Sequence, residues 1–455
     1  MVEMPPVVLD RRAARPLSVQ LADALRAAAA AGTLRPGDRL PSTRALAGVL
    51  QVSRTVTAAA YDQLLAEGWA DGRRGAGTFV VGSAPGPVPA AAAGPPGEVA
   101  AGGLVELRAG TPCLAVLDRA AWRRAWRAAG DQPPDARYDP TGDLGFRTAV
   151  TEHLLRHRGL AVRPADLLAT AGTSAAVAEV ARLLPPGSRI GVEDPGYQRV
   201  VGALRDVGAQ VVPLRVDDDG LVVGEVPAGL AAVYCTPAHQ YPLGRRMSAT
   251  RRGELVARAR AEGWWVLEDD YDGELRYDVA PLPLLGSLGP DVVVHLGTTS
   301  KILSPTLGVG WLVAPAPLRA ELVARRTASG TRPALAGQRV FAALATSGDL
   351  ARHLRRLRRE LAERRGLVLA AVAEAGLTAR GDAAGAHVLV PLCDAVTETA
   401  VLAAAAAVGV ALDGVARHRL TGGPGPAGLV LGFAAPTRPE LDGALPALTE
   451  VLRSR

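Results

Sequence analysis

The sequence predicts two folded parts of different class: a short helix-turn-helix head closed by a basic β-hairpin, and a large α/β tail. Three observations carry that prediction. The chain of 455 residues exceeds one ordinary domain, and its 48% hydrophobic and 21% charged residues suit soluble units with substantial cores. Residues 83–103, SAPGPVPAAAAGPPGEVAAGG, offer almost nothing to a core and are dense in Pro, Gly and Ala, so they form a linker between a head of residues 1–82 and a tail of residues 104–455. Across that linker the hydrophobic pattern changes, from helical spacing in the head to apolar strands alternating with helical stretches in the tail.

In the head, Leu17, Leu21 and Leu25 recur at four-residue spacing on a first helix that closes at Gly32, and Pro36-Gly37 makes a turn. Ser42 is placed to cap a second helix, Thr43 to Leu50. After a turn at Gln51-Val52, Ser53 can cap a third helix whose Val56, Ala60 and Leu64 are expected to face inward. From Trp69 to Val81 two strand-like pieces flank Arg73-Arg74-Gly75-Ala76-Gly77, a hairpin tipped with positive charge. Arg54, Thr55 and Thr57 then fall on the exposed start of the third helix, where a helix-turn-helix meets base edges and phosphates. Capping alone accounts for Ser42 and Ser53 taken singly.

The formal charge of +6 permits a polyanionic partner without requiring one. More telling, 50 of the 51 basic residues are arginine and one, Lys301, is lysine. Arginine keeps its proton and cannot form an imine, whereas a desolvated lysine can, which makes the lone lysine a chemical suspect. No uninterrupted apolar run reaches the ~18 residues of a membrane span, and the N-terminus lacks the apolar segment of a secretory signal, so a cytoplasmic location is expected. Cys113, Cys235 and Cys393 are far apart, odd in number and in no CxxC spacing, which suggests neither a disulfide framework nor a zinc site; buried, reduced thiols and no metal are expected.

In the tail, apolar strands end in polar or glycine-rich turns, the arrangement that collects ligands at the carboxyl edge of an α/β sheet. Leu167 to Thr170 runs into Ala171-Gly172-Thr173-Ser174 and then a helix, so amides and hydroxyls gather at a helix N-terminus as a phosphate requires. Trp264 to Leu267 ends in Glu268-Asp269-Asp270-Tyr271, buried carboxylates that need partners: a cap, a metal or a protonated heterocyclic nitrogen. The run Val292 to Leu296 ends in Gly297-Thr298-Thr299-Ser300-Lys301, which sets the only lysine after a hydroxyl-rich turn.

LRPGDRLPSTRALAGVLQVSRTVTAAAYDQLLAEGWADGRRGAGTFV resembles the GntR-type winged helix-turn-helix over nearly its whole length. That resemblance implies DNA contacts at Arg44, Ser53, Arg54, Thr55 and Thr57, and in the wing at Gly77 with Arg73 and Arg74. YDPTGDLGFR, VEDPGYQR, YCTPAHQYPLG, EDDYDGELRY and GTTSK stand in the order and spacing of the MocR branch of the same family, which fuses the winged domain to a fold-type I aminotransferase-like domain. The resemblance implies pyridoxal 5'-phosphate (PLP) as cofactor, with Lys301 as the Schiff-base lysine, Asp269 paired with the pyridine nitrogen, Tyr271 on the ring's phenolic oxygen and Tyr197 stacked on the ring. Gly172, Thr173, Ser174, Thr298 and Ser300 complete the cofactor set toward the phosphate, His239 and Gln240 belong to a family cofactor loop, and Arg199 matches a position that holds an effector's carboxylate. The expected protein is a homodimeric regulator that binds double-stranded operator DNA and senses PLP or an amine or amino-acid effector.

Two departures bear on this. Seven residues beyond the lysine, where the family carries a phosphate-binding arginine, stands Gly308, and GLVLGFA near the C-terminus lacks the arginine that aminotransferases use for a substrate carboxylate. An active aminotransferase with a fused DNA-binding head, or a DNA-binding regulator whose tail holds no PLP, are the alternatives. The run HLRRLRRELAERR, residues 353–365, is expected to be a solvated or subunit-facing helix, with an auxiliary DNA backbone contact as the other reading.

Overall fold

Serine caps open the second and third helices of the first part of the chain. In the computed structural model, which describes residues 7–73, 76–81, 103–134, 136, 138–277, 283–422 and 425–455, α1 spans Leu17–Ala30, α2 Thr43–Leu50 and α3 Arg54–Ala66. Ser42 Oγ accepts from the Ala45 amide at 3.2 Å and Ser53 Oγ from the Val56 amide at 3.4 Å, each satisfying one free donor of a first turn. Between them Gln51 ends α2 in the left-handed region at φ 50. The hairpin follows as β1 (Ala70–Arg73) and β2 (Gly77–Val80), antiparallel with Ala70 opposite Val80. Leu21, Leu25, Leu46, Ala60, Tyr61 and Leu64 form the core beneath it.

One expectation is corrected here. The buried stripe of α3 is Thr57, Ala60, Tyr61 and Leu64, the i, i+3, i+4, i+7 pattern of a core-facing helix, while Val56 is only half-buried. Thr57 is 0% exposed, and its hydroxyl donates to Thr43 O and Arg54 O, both at 2.9 Å. It fastens α2 to α3 and is not on the outer face.

The chain divides into two compact units, Met1–Ala101 and Gly102–Arg455. In the second, β3 (Val105–Glu106), α4 (Arg119–Gly130) and α5 (Leu144–Arg158) precede an eight-stranded sheet. Its strands are β4 (Leu167–Thr170), β5 (Arg189–Asp194), β6 (Gln210–Asp217), β7 (Gly220–Leu221), β8 (Ala232–Cys235), β9 (Trp265–Asp269), β10 (Val293–Thr298) and β11 (Gly310–Val313). Helices α6 (Thr173–Ala181), α7 (Gln198–Asp206), α8 (Ala249–Glu262) and α9 (Leu285–Leu288) lie between them in the chain. Then come α10 (Ala316–Ser329), α11 (Leu335–Thr346) and the long α12 (Asp349–Glu374). A small sheet of order β12-β15-β14 ends the unit: β12 (His387–Leu392), α13 (Ala395–Ala407), β13 (Val410–Ala411, paired with β3), β14 (Asp413–Gly414), β15 (Ala427–Gly432) and α14 (Arg438–Arg453).

The large sheet runs β4-β11-β10-β9-β8-β5-β6-β7. From β10 through β6 every pairing is parallel, and β11 is antiparallel to both β10 and β4. Strands β4, β5, β8, β9 and β10 therefore end at one edge, where such sheets hold their ligands. Gly310 sits opposite Thr298 on one side and Thr170 on the other; a Cβ there would lie 2.5 Å from Gly297 O and 3.0 Å from Gly172 Cα. Glycine is thus what lets the turns that follow β4 and β10 close on each other.

Candidate functional site

At that edge lies a cavity of about 620 Å³, into which the turns after β4, β8, β9 and β10 bring Gly172, Thr173, Ser174, Thr236, Asp269, Tyr271, Thr298, Ser300 and Lys301. Tyr197 and Arg199 reach it from the start of α7. Of the twelve residues expected at the cofactor and effector site, ten line this one space.

Lys301 Nζ donates to the carbonyl of Gly110, a glycine held at φ 106. Burial first, and then the nearby Arg199 guanidinium, lower the lysine's pKa from its ordinary value, which favours the neutral amine. Before it the hydroxyls form a turn: Thr298 Oγ1 donates to Ser300 Oγ at 3.0 Å and accepts from the Ser300 amide at 3.1 Å. Thr299 faces inward and donates to Val309 O at 2.9 Å.

The three carboxylates after β9 solve their burial differently. Glu268 accepts from the amides of Leu285 and Gly286 at 2.7 and 3.0 Å and so caps α9. Asp270 takes a two-pronged ion pair from Arg158, with Nη2 at 2.8 Å. Among the described residues the Tyr234 hydroxyl donates to Asp269 Oδ2 at 2.6 Å, while Oδ1 is buried with no hydrogen-bond partner. Burial pushes the Asp269 carboxyl up to about 7, Tyr234 pulls it down and the Asp270 charge raises it again. No cluster of metal-ligating side chains occurs among the described residues.

Tyr271 donates to His239 O at 3.0 Å, and burial together with Asp272 holds its phenol protonated. His239 Nδ1 lies 2.8 Å from Asp272 Oδ2. His239 and Gln240, expected in a cofactor loop, are the two residues of the expected set that do not line the cavity. Gln240 is spent inside its own loop: its amide donates to Pro195 O at 2.9 Å and Tyr241 O at 2.8 Å, and its oxygen accepts from the Leu243 amide at 3.1 Å. His239 stands behind Tyr271 and braces it.

Sequence reasoning missed Tyr234, Asp272, Tyr241, His387 and Arg417, all of which line the cavity. Arg417 matters most. The carboxylate-binding arginine sought in residues 428–434 is absent there, yet Arg417, just after β14 and ion-paired with Asp413, puts a guanidinium in the same space. Gly308 caps a short turn at φ 58 and contributes nothing. Cys393 is exposed, against the expectation of burial, while Cys113 and Cys235 are buried.

In the smaller unit Arg44, Ser53, Arg54 and Thr55 share the exposed side of α2 and α3. Arg73 lies 4.8 Å above the Phe79 ring, which stiffens the hairpin, and Gly77 takes φ 110 where β2 begins. Arg74 lies outside the described residues.

Residues 17–80 match the family of bacterial regulatory proteins of the gntR type, and residues 103–417 match aminotransferase class I and II. The chain is 36% identical over 371 residues to the pyridoxine biosynthesis transcriptional regulator PdxR of Corynebacterium glutamicum, covering 80% of each chain. It is 33% identical to the probable rhizopine catabolism regulatory protein MocR of Rhizobium meliloti, covering 80% of this chain and 78% of that one. The chain belongs to the MocR-type GntR regulators. Its larger unit has the fold of Pyrococcus horikoshii kynurenine aminotransferase, with a TM-score of 0.69, 24% identity and coverage of 78% of this chain and 92% of that one. As a member of this family the protein is a DNA-binding transcription regulator carrying an aminotransferase-like domain of a PLP-dependent class.

Proposed function

We propose that this MocR-type regulator binds PLP in the cavity at the carboxyl edge of its large sheet and uses that occupancy, with a carboxylate-bearing effector, to set its affinity for operator DNA. One observation carries the reading: the only lysine in the chain shares a cavity with a fully buried carboxylate whose Oδ1 lacks a donor. A protonated ring nitrogen is the partner that Asp269 lacks, so the residues present fit the cofactor.

When bound, PLP supplies an aldehyde that condenses with an amine and a ring that accepts electrons. The chain's own residues do the rest. Lys301 offers a neutral amine, since burial and Arg199 disfavour its charged form. Asp269, held by Tyr234, would meet the ring nitrogen through its unpartnered Oδ1. Tyr271, braced by His239, would offer its phenol to the ring's oxygen, and Tyr197 would cover a face of the ring. Gly172 at φ 119 opens α6, whose first amides with Ser174, Thr298 and Ser300 give a phosphate its donors without the arginine that Gly308 replaces. Arg199 and Arg417 both reach the cavity, which supports a ligand with a carboxylate; Arg417 also favours the aminotransferase reading more than the sequence alone did.

In the head, Arg44, Ser53, Arg54 and Thr55 on α2 and α3, with the wing, meet duplex DNA, and a homodimer pairs two heads with two half-sites. The test is a DNA titration of the full chain with and without PLP, with binding of the cofactor followed independently by absorbance. Affinity should differ between the two conditions, and by linkage DNA must change PLP affinity by the same factor. Equal DNA affinities with PLP bound would defeat the sensor reading. Steady turnover of an amino donor with a 2-oxo acid would establish the aminotransferase alternative.

A further inference from the structure

Two connections that carry ligand-facing groups of the cavity are fastened to each other across the chain. One leaves β5 at Asp194 and enters α7 through Gly196, Tyr197 and Gln198. The other follows β14 and runs from Arg417 through His418 to Thr421. Asp194 turns its carboxylate to this second segment: Oδ1 accepts from the Leu420 amide, 226 positions along, at 2.8 Å. Its Oδ2 accepts from the Thr421 amide at 3.1 Å and from the Thr421 hydroxyl at 2.7 Å. A carbonyl ties the segments in the opposite sense, since His418 O accepts from the Gly196 amide at 2.9 Å and from the Gln198 side-chain amide at 2.7 Å.

The fastening joins two apolar clusters. Leu420 and Tyr197 both pack against the core of the large sheet, whereas Val415 and Val430, on either side of Leu420 in the chain, pack with Leu243 and Leu389 in a separate cluster. Arg417, whose Nε is held by Asp413, precedes His418 and lines the cavity; Tyr197 and Arg199 flank Gln198 and line it too. Asp194 and Gln198 do not line it, so whatever they do there is transmitted through their neighbours. A carboxylate drawn to Arg417 orders the peptide whose carbonyl holds Gly196 and Gln198. A ring beneath Tyr197 orders the same bonds from the other segment. Whichever ligand arrives second meets a clasp already ordered, which is a source of positive coupling between two sites.

We propose that Asp194 and Gln198 are positioning residues of a clasp that couples the effector's carboxylate at Arg417 to the ring cover at Tyr197, so that cofactor and effector each tighten the binding of the other. The inference rests on the reading that the cavity holds PLP with a carboxylate-bearing effector, and it adds how the two ligands sense each other.

The experiment uses the full chain and maleate, a dicarboxylate with no amine, which can pair with arginine but cannot condense with an aldehyde. PLP affinity is measured by absorbance titration with and without maleate. In wild type maleate should raise PLP affinity about 10-fold, within the usual range of coupling between two sites. In Asp194→Ala and in Gln198→Leu the ratio should fall to about 2-fold or less, whatever the affinity without maleate. Gln198→Leu keeps the bulk of the side chain, so the test stands even if Asp194→Ala does not fold. Arg417→Gln should abolish the response. Hydrogen exchange adds a readout without cofactor: maleate should slow the Gly196 amide in wild type and leave it unchanged in Gln198→Leu. A purely structural role would lower thermal stability and PLP affinity in the variants but keep the wild-type maleate ratio, and that result would overturn the proposal. So would a maleate response that survives Arg417→Gln, or a wild-type chain that binds PLP equally well with and without maleate. Failure of the cofactor reading is seen separately: no absorbance change when PLP is added to wild type defeats that reading and this inference with it, whereas PLP binding with an unchanged ratio defeats this inference alone.

Discussion

Replacing Tyr234 with phenylalanine removes one oxygen from the cavity wall and isolates what Asp269 needs. The hydroxyl donates to Asp269 Oδ2 at 2.6 Å where both side chains are almost wholly buried. A hydrogen bond to an ionised group contributes about 1.5–3 kcal/mol, against about 0.5–1.5 kcal/mol between neutral groups. The difference between the midpoints, about 1.2 kcal/mol, is the margin by which Tyr234 favours the charged carboxylate, equivalent to nearly one pH unit. Burial already holds that carboxyl at about 7, so the loss of Tyr234 leaves Asp269 neutral where a ring nitrogen would need its charge. PLP affinity should fall about tenfold. Absorbance titration of the full chain measures it, in a cycle of Tyr234→Phe, Asp269→Asn and the double variant. In the Asp269→Asn background the tyrosine should matter far less, because the charge it favours is gone. Wild-type affinity in Tyr234→Phe, or an equal loss with and without Asp269, would refute the reasoning.

Lys301→Ala and Lys301→Arg should each abolish PLP that borohydride fixes to the protein, read by intact mass, because a guanidinium does not supply a neutral amine. Thr57→Val should lower stability by about 1 kcal/mol in thermal unfolding and leave DNA affinity near wild type, whereas Arg54→Ala should cost about 1–3 kcal/mol of specific binding with stability unchanged. Glu193 is wholly buried and held at about 7, chiefly by burial. The folded carboxyl then keeps a proton that the unfolded one releases, so its contribution is fully present below about pH 4 and lost as pH rises toward 7. Glu193→Gln should flatten that decline in cofactor-free protein, by up to about 3 kcal/mol in denaturant titrations at pH 5 and pH 8.

What the sequence discloses depends on how local each signal is. Ser42 and Ser53 cap within three residues, so the bounds of α2 and the start of α3 follow from composition. The strands that carry Thr170, Asp269 and Thr298 are short apolar runs closed by polar turns, and that pattern locates eight of the cavity residues, while Tyr197 and Arg199 at the start of α7 follow from the family resemblance. The errors arise where a polar side chain is satisfied by something distant. Thr57 is expected outside because it falls in the first turn of the third helix beside Arg54 and Thr55, but Thr43 O, fourteen positions away, supplies an acceptor that makes its burial cheap. Gln240 is expected at the cofactor because it sits in the right motif, yet the carbonyl of Pro195 consumes its amide. Arg417 is invisible because its position depends on the pairing of β14 with β15 and on Asp413, and no neighbouring residue announces it.

The carboxylates at the end of β9 show why a crowded motif can be found in the sequence and still not be assigned. Three successive acids on a buried strand must each be compensated, and sequence offers a cap, an ion pair or a ligand for any of them. The fold distributes those solutions: the amides of α9 take Glu268, and Arg158, 112 positions away from Asp270, takes the next. Only Asp269 keeps a buried oxygen with no donor, and only the turn after β10 places the chain's single lysine in the same cavity. Compensating two acids from within the protein is what leaves the third to a ligand. Substituting Arg158 should therefore disturb the site without touching it, since an unpaired Asp270 would compete with Asp269 for the proton and charge of the ring nitrogen.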